Sequence, residues 1–208
     1  VLRQLDLFAT GAPAFDAEFR ASRRTTLAQG AWVDHVPEWV SGHDALFEEL
    51  ERTLAWRRET MHMYDRVVDV PRLLSHVPSE HTLIESMRQA LSAQYAEEFV
   101  YVTAALYRDG SDSVAFHGDT TARDMLEARV ATVSLGAPRK FLMKPTERGD
   151  SISFALGRGD LVVMGGTCQR TWRHGIPKVA SAGPRIALMF RPAWASSYRL
   201  PKRDDLDL

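Results

Sequence analysis

A single cysteine, Cys168, stands in 208 residues. One thiol cannot close an internal disulfide, and alone it cannot build a thiolate zinc site or an iron–sulfur cluster. No apolar run approaches the length of a membrane span, and the first residues lack the charged-then-apolar layout of a secretory signal. A cytoplasmic protein without a membrane partner is therefore expected. Lysine is scarce too: Lys140, Lys144, Lys178 and Lys202 are the only lysines among 26 basic residues, and the other 22 are arginines. Arginine suits planar, bidentate recognition of carboxylate and phosphate. Against 27 acids the formal net charge is −1, so the strong positive excess of a dedicated nucleic-acid binder is missing. A basic face would need the acids to gather elsewhere, as in Glu48, Glu49 and Glu51 or Asp204, Asp205 and Asp207.

What is present suits one ordinary globular domain: 45% hydrophobic and 25% charged residues exclude disorder and collagen-like structure. Residues 1–30 show no strong period and read as a surface arm carrying Arg20, Arg23 and Arg24. A helix opens after Ser41, with Ser41 or Asp44 as its cap and Leu46, Phe47, Leu50 and Leu54 at helical spacing. Residues 56–78 set Trp56, Met61, Met63 and Tyr64 among arginines, in strand-like patches without a clean period. A second helix is predicted over about 80–96, with Leu83, Met87, Ala90, Leu91 and Gln94 on its stripe. From Phe99 short β-prone runs take over, at 99–107, 130–135, 140–143, 151–156, 161–164, 172–175 and 185–191, separated by Gly, Pro and Asp turn signals. Many short strands without intervening helices predict a sandwich or jelly-roll barrel, with a helical N-terminal half outside an antiparallel core.

His117-Gly118-Asp119 is the first chemical candidate, because residues i and i+2 of an extended segment point to one face. Alone it is weak: roughly one such pairing arises by chance in a chain of this composition, and a His–Asp hydrogen bond at a strand end explains it as well. His174, 57 residues later in a strand-like stretch, changes the balance. Two histidines and a carboxylate make the facial triad that holds Fe(II) with open positions, although zinc takes the same ligands. Arg185 and Arg191 lie six apart on the last β-prone run, so both share a face with Ala187 and Met189. If that face lines a barrel, the two arginines need anionic partners and could reach a short dicarboxylate between them; arginines at strand ends pairing with surface acids explain the spacing equally well.

With these residues in view, the chain resembles the AlkB-like Fe(II)/2-oxoglutarate dioxygenases. Residues 106–119 (LYRDGSDSVAFHGD) look like that family's Asn-x-Tyr…His-x-Asp signature. Residues 133–142 (VSLGAPRKFL) resemble the strand pair that follows, 165–178 (GGTCQRTWRHGIPK) the distal-histidine segment, and 184–192 (PRIALMFRP) the closing double-arginine strand. Residues 63–66 and 70–73 look more loosely like its lid. The resemblance implies His117, Asp119 and His174 as iron ligands. It places Arg185 on the distal carboxylate of 2-oxoglutarate, Tyr107 in a hydrogen bond to the same cosubstrate, and Arg191 near the chelating end and the ligand carboxylate. The implied fold is a mainly β chain with flanking helices: a double-stranded β-helix over about 99–195, an arm, helices and nucleotide-recognition lid over 1–98, and an acidic tail at 196–208, all in one domain.

Three departures stand out. The asparagine two residues before the tyrosine is Ala105, the asparagine inside the double-arginine strand is Ala187, and Thr120 and Thr121 follow the metal motif where repair members often carry an acid. The implied activity is oxidative demethylation of nucleobases with Fe(II), 2-oxoglutarate and O2, releasing aldehyde, succinate and CO2. The expected substrate is alkylated DNA or RNA, single-stranded or with a flipped base, and a monomer is expected. His117 and one of Trp56, Tyr64 or His76 are expected to stack on the base. Arg57, Arg58, Arg66, Arg72, Arg139, Lys140, Arg170 and Arg173 are candidate phosphate contacts, Arg72 and Arg139 foremost. Trp172 and Trp194 read as packing, and Cys168 as a buried small hydrophobe. A hydroxylase of RNA, protein or a small molecule is one alternative; a catalytically decayed nucleic-acid-binding jelly-roll is the other.

Overall fold

A computed structural model of the chain describes residues 11–63, 66–119, 125 and 127–193, with backbone only over 60–63 and 66–70. Its frame is two antiparallel sheets. The larger runs, in spatial order, β2 (Arg23–Thr26), β3 (Ala31–Val36), β12 (Asp160–Gly166), β9 (Val130–Gly136), β14 (Arg185–Pro192), β7 (Phe99–Tyr107), β6 (Arg66–His76) and β5 (Arg57–Met63). The smaller runs β11 (Ile152–Leu156), β10 (Arg139–Pro145), β13 (Trp172–Ile176) and β8 (Val114–His117). β1 (Ala14–Phe15) and β4 (Val40–Ser41) form a separate pair. This is the mainly β, jelly-roll architecture with flanking helices that the strand texture predicts.

Two cores follow from strand alternation. Ile186, Leu188 and Phe190 of β14 point outward and pack under α1 (His43–Thr53) and α2 (Thr82–Tyr95), against Phe47, Leu50, Met87 and Leu91. Each of these fully buried side chains contributes roughly 2 kcal/mol relative to exposure. The opposite face of the same sheet meets the smaller sheet through Met164, Phe141, Met143 and Trp172. Cys168, opening the four-residue α3 (Cys168–Thr171), is buried there, and desolvation pushes its thiol up to about 12, which makes it the inert small hydrophobe expected.

Several expectations for the N-terminal half need correction. Four strands of the large sheet, β2, β3, β5 and β6, precede Phe99, so this half is not a helical layer outside the barrel. Residues 11–30 lie mostly at the surface, as expected, but β2 forms the sheet edge and Phe19 is buried, so they are part of the fold and not an appended arm. Helix α1 has no side-chain cap: Ser41 belongs to β4, and Gly42 takes the N-cap position at φ 60°. A Cβ there would meet the Gly11 carbonyl at 2.6 Å, so glycine is required by crowding as well as by conformation. The buried stripe of α2 is Ile84, Met87, Leu91 and Tyr95; Gln94 is exposed, so the predicted stripe was rotated about the helix axis.

Candidate active site

The site lies between the two sheets. On β14 the predicted alternation holds: Arg185, Ala187, Met189 and Arg191 line one cavity. Across from them, His174 on β13 is the register partner of His117 on β8, and their ring centroids stand 4.4 Å apart. The Phe141 ring centroid lies 5.5 Å from that of His174. A bulge between the two register pairs lets Val114 and His117, three residues apart, face the same cavity. Gly118 then passes α3 so closely that a Cβ would fall 2.5 Å from the Gln169 carbonyl oxygen. That approach allows the Asp119 amide to donate to Gln169 Oε1 at 3.0 Å, and the Asp119 carboxylate is buried. The spacing His-Gly-Asp is thus a steric requirement of this corner.

Electrostatics sets the protonation of all three side chains. Burial lowers the His117 imidazole below its usual range. Burial, and then the adjacent His117, push His174 down to about 3. Both rings are therefore neutral at pH 7, the form with a lone pair to donate. His117 Nδ1 lies 2.9 Å from the Ala115 carbonyl oxygen; a carbonyl only accepts, so Nδ1 carries the proton and Nε2 is the free donor atom. Burial works against the Asp119 charge, but Arg191 outweighs it and holds the carboxyl below its ordinary range. Arg191 Nε donates to Asp119 Oδ2 at 3.0 Å, and its Nη1 donates to Thr103 Oγ1 at 3.1 Å. Among the described residues no three His, Cys, Asp or Glu side chains stand close enough together to hold a metal ion as they are placed. The arrangement is an imidazole pair beside an ionised carboxylate oriented by arginine.

At the other end of the cavity Arg185 is 1% exposed. Its Nη2 donates to Ser134 Oγ at 2.6 Å, while Nε and Nη1 have no hydrogen-bond partner among the described residues. The Tyr107 ring centroid lies 5.2 Å from the guanidinium carbon and favours its charge. A buried guanidinium with two unmatched donors is costly by itself and is suited to an anionic ligand. Ala105 and Ala187 are direct register partners, so two methyl groups stand where the family's asparagines would, while Thr103 and Thr132, the register partners of Met189, also line the cavity between the two arginines. Ser134 and Gln169 were not anticipated from the sequence; each is polar and fully enclosed, but no motif separates such residues from ordinary strand and turn residues.

The remaining candidates divide. Arg72 lines the cavity and donates to the Ser113 carbonyl at 3.4 Å. Arg139 is not a phosphate contact: it is buried and donates to the backbone carbonyls of Asp109, Asp112 and Pro177, at 2.8 to 2.9 Å. It ties the loop before β8 to the smaller sheet, and Arg108 reinforces that loop through three hydrogen bonds to the buried Asp112 carboxylate. Trp56 is no base-stacking residue, since it packs against the helical core and donates to the Glu51 carbonyl. His76 shares a strand face with Arg72 and Leu74 but is exposed beyond the cavity lining. Arg57, Arg58, Lys140, Arg170 and Arg173 are exposed, and Trp172 packs in the core as expected. Tyr64, Thr120, Thr121, Trp194 and the Arg66 side chain lie outside the described residues.

The family model of the 2OG-Fe(II) oxygenase superfamily matches residues 21–191. The chain is 29% identical over 160 residues to the human alpha-ketoglutarate-dependent dioxygenase alkB homolog 3, covering 72% of this chain and 54% of that protein. It is 28% identical over 189 residues to the DNA oxidative demethylase ALKBH2 of Arabidopsis thaliana, covering 70% of this chain and 60% of that protein. The chain thus spans little more than half the length of these relatives. Among solved structures, a 2OG-Fe(II) oxygenase family oxidoreductase of Burkholderia pseudomallei has a TM-score of 0.55 at 15% identity, over 76% of this chain and 84% of that one. The structure of OsALKBH1 has a TM-score of 0.54 at 14% identity, over 82% of this chain and all of that one. The chain belongs to the 2OG-Fe(II) oxygenase superfamily and is similar to its AlkB homologues.

Proposed function

We propose that this protein is an Fe(II)- and 2-oxoglutarate-dependent dioxygenase that removes N-alkyl groups from nucleobases, DNA being its main substrate. The observation that carries the reading is the convergence of His117, His174, Arg185 and Arg191 on one cavity, with Asp119 hydrogen-bonded to Arg191 at its edge. The donor set fits the metal: two neutral imidazoles, one with its Nε2 lone pair free, and a carboxylate kept ionised by Arg191. The two unpartnered nitrogens of Arg185 fit the distal carboxylate of the cosubstrate, and Tyr107 stands beside it. When bound, Fe(II), 2-oxoglutarate and O2 supply the oxidising chemistry that hydroxylates an N-alkyl carbon and leaves succinate, CO2 and an aldehyde.

The chain's own side chains do the rest. Arg191 orients Asp119 and keeps a proton off its carboxylate. Phe141, Met189 and Ala187 exclude water around the imidazoles. Arg72, on the β6 side of the cavity, is placed to meet the incoming nucleotide, and His117 offers a ring to the base. A base inside a duplex cannot enter a cavity enclosed between two sheets, so the target is single-stranded or extruded.

The test is a panel of single- and double-stranded oligonucleotides carrying different N-methyl bases, with formaldehyde and succinate measured together. Formaldehyde release matching succinate on at least one methylated strand supports the proposal. Succinate formation with no formaldehyde from any nucleic acid would move the protein to another class of substrate.

A further inference from the structure

The smaller sheet has an outer face that the proposed chemistry does not use. Its four strands, β8, β10, β11 and β13, contain no aspartate or glutamate, in a chain with 27 acids. Phe141, Met143, Trp172 and Ile176 turn inward to the core. Alternation therefore turns Lys140, Leu142 and Lys144 of β10, and Arg173 of β13, to the outside. Half of the chain's lysines stand on this one strand.

Lys144 and Arg173 are direct register partners, so two cations share one face with their Cβ atoms about 5 Å apart. Like charges directly opposite one another destabilise a sheet. Neither forms an ion pair among the described residues. Beside them Phe116 of β8 is 39% exposed, and Lys144 Nζ lies 4.1 Å from its ring centroid. An acid-free, cation-bearing sheet with an exposed aromatic provides phosphate partners and a stacking surface together. His117 and His174 project from the inner side of the same two strands, β8 and β13.

We infer that this outer face is a docking surface for single-stranded DNA, holding the strand beside the cavity that takes one of its bases; this rests on the nucleic-acid reading above. A sheet face with a part-exposed ring suits splayed bases, one of which would take the place of the Lys144 ammonium over Phe116. A duplex, whose bases are stacked inside, would gain only the charge.

The experiment is fluorescence anisotropy with an unmodified single-stranded DNA of about 12 nucleotides, across a salt series. The variants are Lys140→Glu/Lys144→Glu and, separately, Phe116→Ala, with Arg23→Glu/Arg52→Glu as a surface control of equal charge change. The double lysine variant is expected to bind at least about tenfold more weakly, with a log–log salt slope shallower by about 1.4 for two lost single-strand contacts. Phe116→Ala is expected to lose about tenfold through stacking, and the control pair to bind as wild type. Should the charge reversal impair folding, as judged by melting temperature, Lys140→Gln/Lys144→Gln replaces it. Unchanged affinity in a folded lysine variant overturns the inference, and formaldehyde release from methylated oligonucleotides would then leave the dealkylation reading intact. Tighter binding of duplex DNA, RNA or polyglutamate than of single-stranded DNA overturns it as well. If the lysine variant loses DNA affinity while no methylated strand yields formaldehyde, the docking surface stands and the dealkylation reading falls.

Discussion

Arg191 Nε donates to Asp119 Oδ2 across 3.0 Å, joining the end of β14 to the turn after β8 between residues 72 positions apart in sequence. Both side chains are buried, so neither charge has water as a substitute partner. Replacing Arg191 by Met should cost about 3 kcal/mol or more of stability, because a buried carboxylate is left uncompensated. Urea denaturation measures it. Asp119→Asn in the Arg191→Met background should cost much less than Arg191→Met alone, and additive losses would show that the pair is not coupled.

Arg185 behaves oppositely. Its Nε and Nη1 lack partners, so the metal- and ligand-free protein bears a desolvation cost there. Arg185→Met should leave thermal stability unchanged or raised, while weakening 2-oxoglutarate binding by about a hundredfold, roughly 3 kcal/mol. Calorimetric titration and melting curves on the same preparation report both quantities. A variant that binds 2-oxoglutarate normally removes Arg185 from the proposed cosubstrate site.

His174 packs against both His117 and Phe141. The His174→Ala protein is expected to keep its far-ultraviolet circular dichroism spectrum. Its anaerobic Fe(II) affinity and succinate production should both fall by more than about a hundredfold. Unchanged turnover would take His174 out of the metal centre.

The loop that delivers β8 carries its own acid sensitivity. Burial raises the Asp112 carboxyl, but hydrogen bonds from the Arg108 side chain and amide outweigh this and hold it below the usual range. A carboxyl depressed in the folded state contributes stability that is complete above its unfolded value, near 4. That stability is lost as pH falls through the folded value. Melting temperature should therefore drop on acidification below about pH 4. Asp112→Asn should be less stable at neutral pH and show a shallower acid dependence.

Legibility varied with the kind of signal. On β14, one face must bury arginine and the other only hydrocarbon, so strict alternation placed Arg185 and Arg191 without any structure. β3 was not recognised because both of its faces are covered and one position is an acid. Asp34 is buried there, held by two hydrogen bonds from Arg24 and one from the Tyr95 hydroxyl. Those partners lie on β2 and α2, and no local pattern announces them. β8 escaped for a different reason: it has four residues, and its bulge breaks the two-residue period. Arg139 reads as surface arginine until three backbone carbonyls converge on it from distant turns. The residues of the candidate centre are thus visible as motifs, whereas the side chains that hold them rely on contacts between remote segments.

Carrying both guanidiniums on β14 has a mechanical consequence. The strand is hydrogen-bonded to β7 on one flank and β9 on the other, in the middle of the large sheet. The separation of the two attachment points, about 20 Å over six residues, is thereby written into the backbone and cannot drift with side-chain motion. Loss or gain of a single residue between them would leave one arginine in place and swing the other into the oily layer beneath the helices. The strand is a fixed gauge, and it tolerates substitution along its length far better than any change in that length.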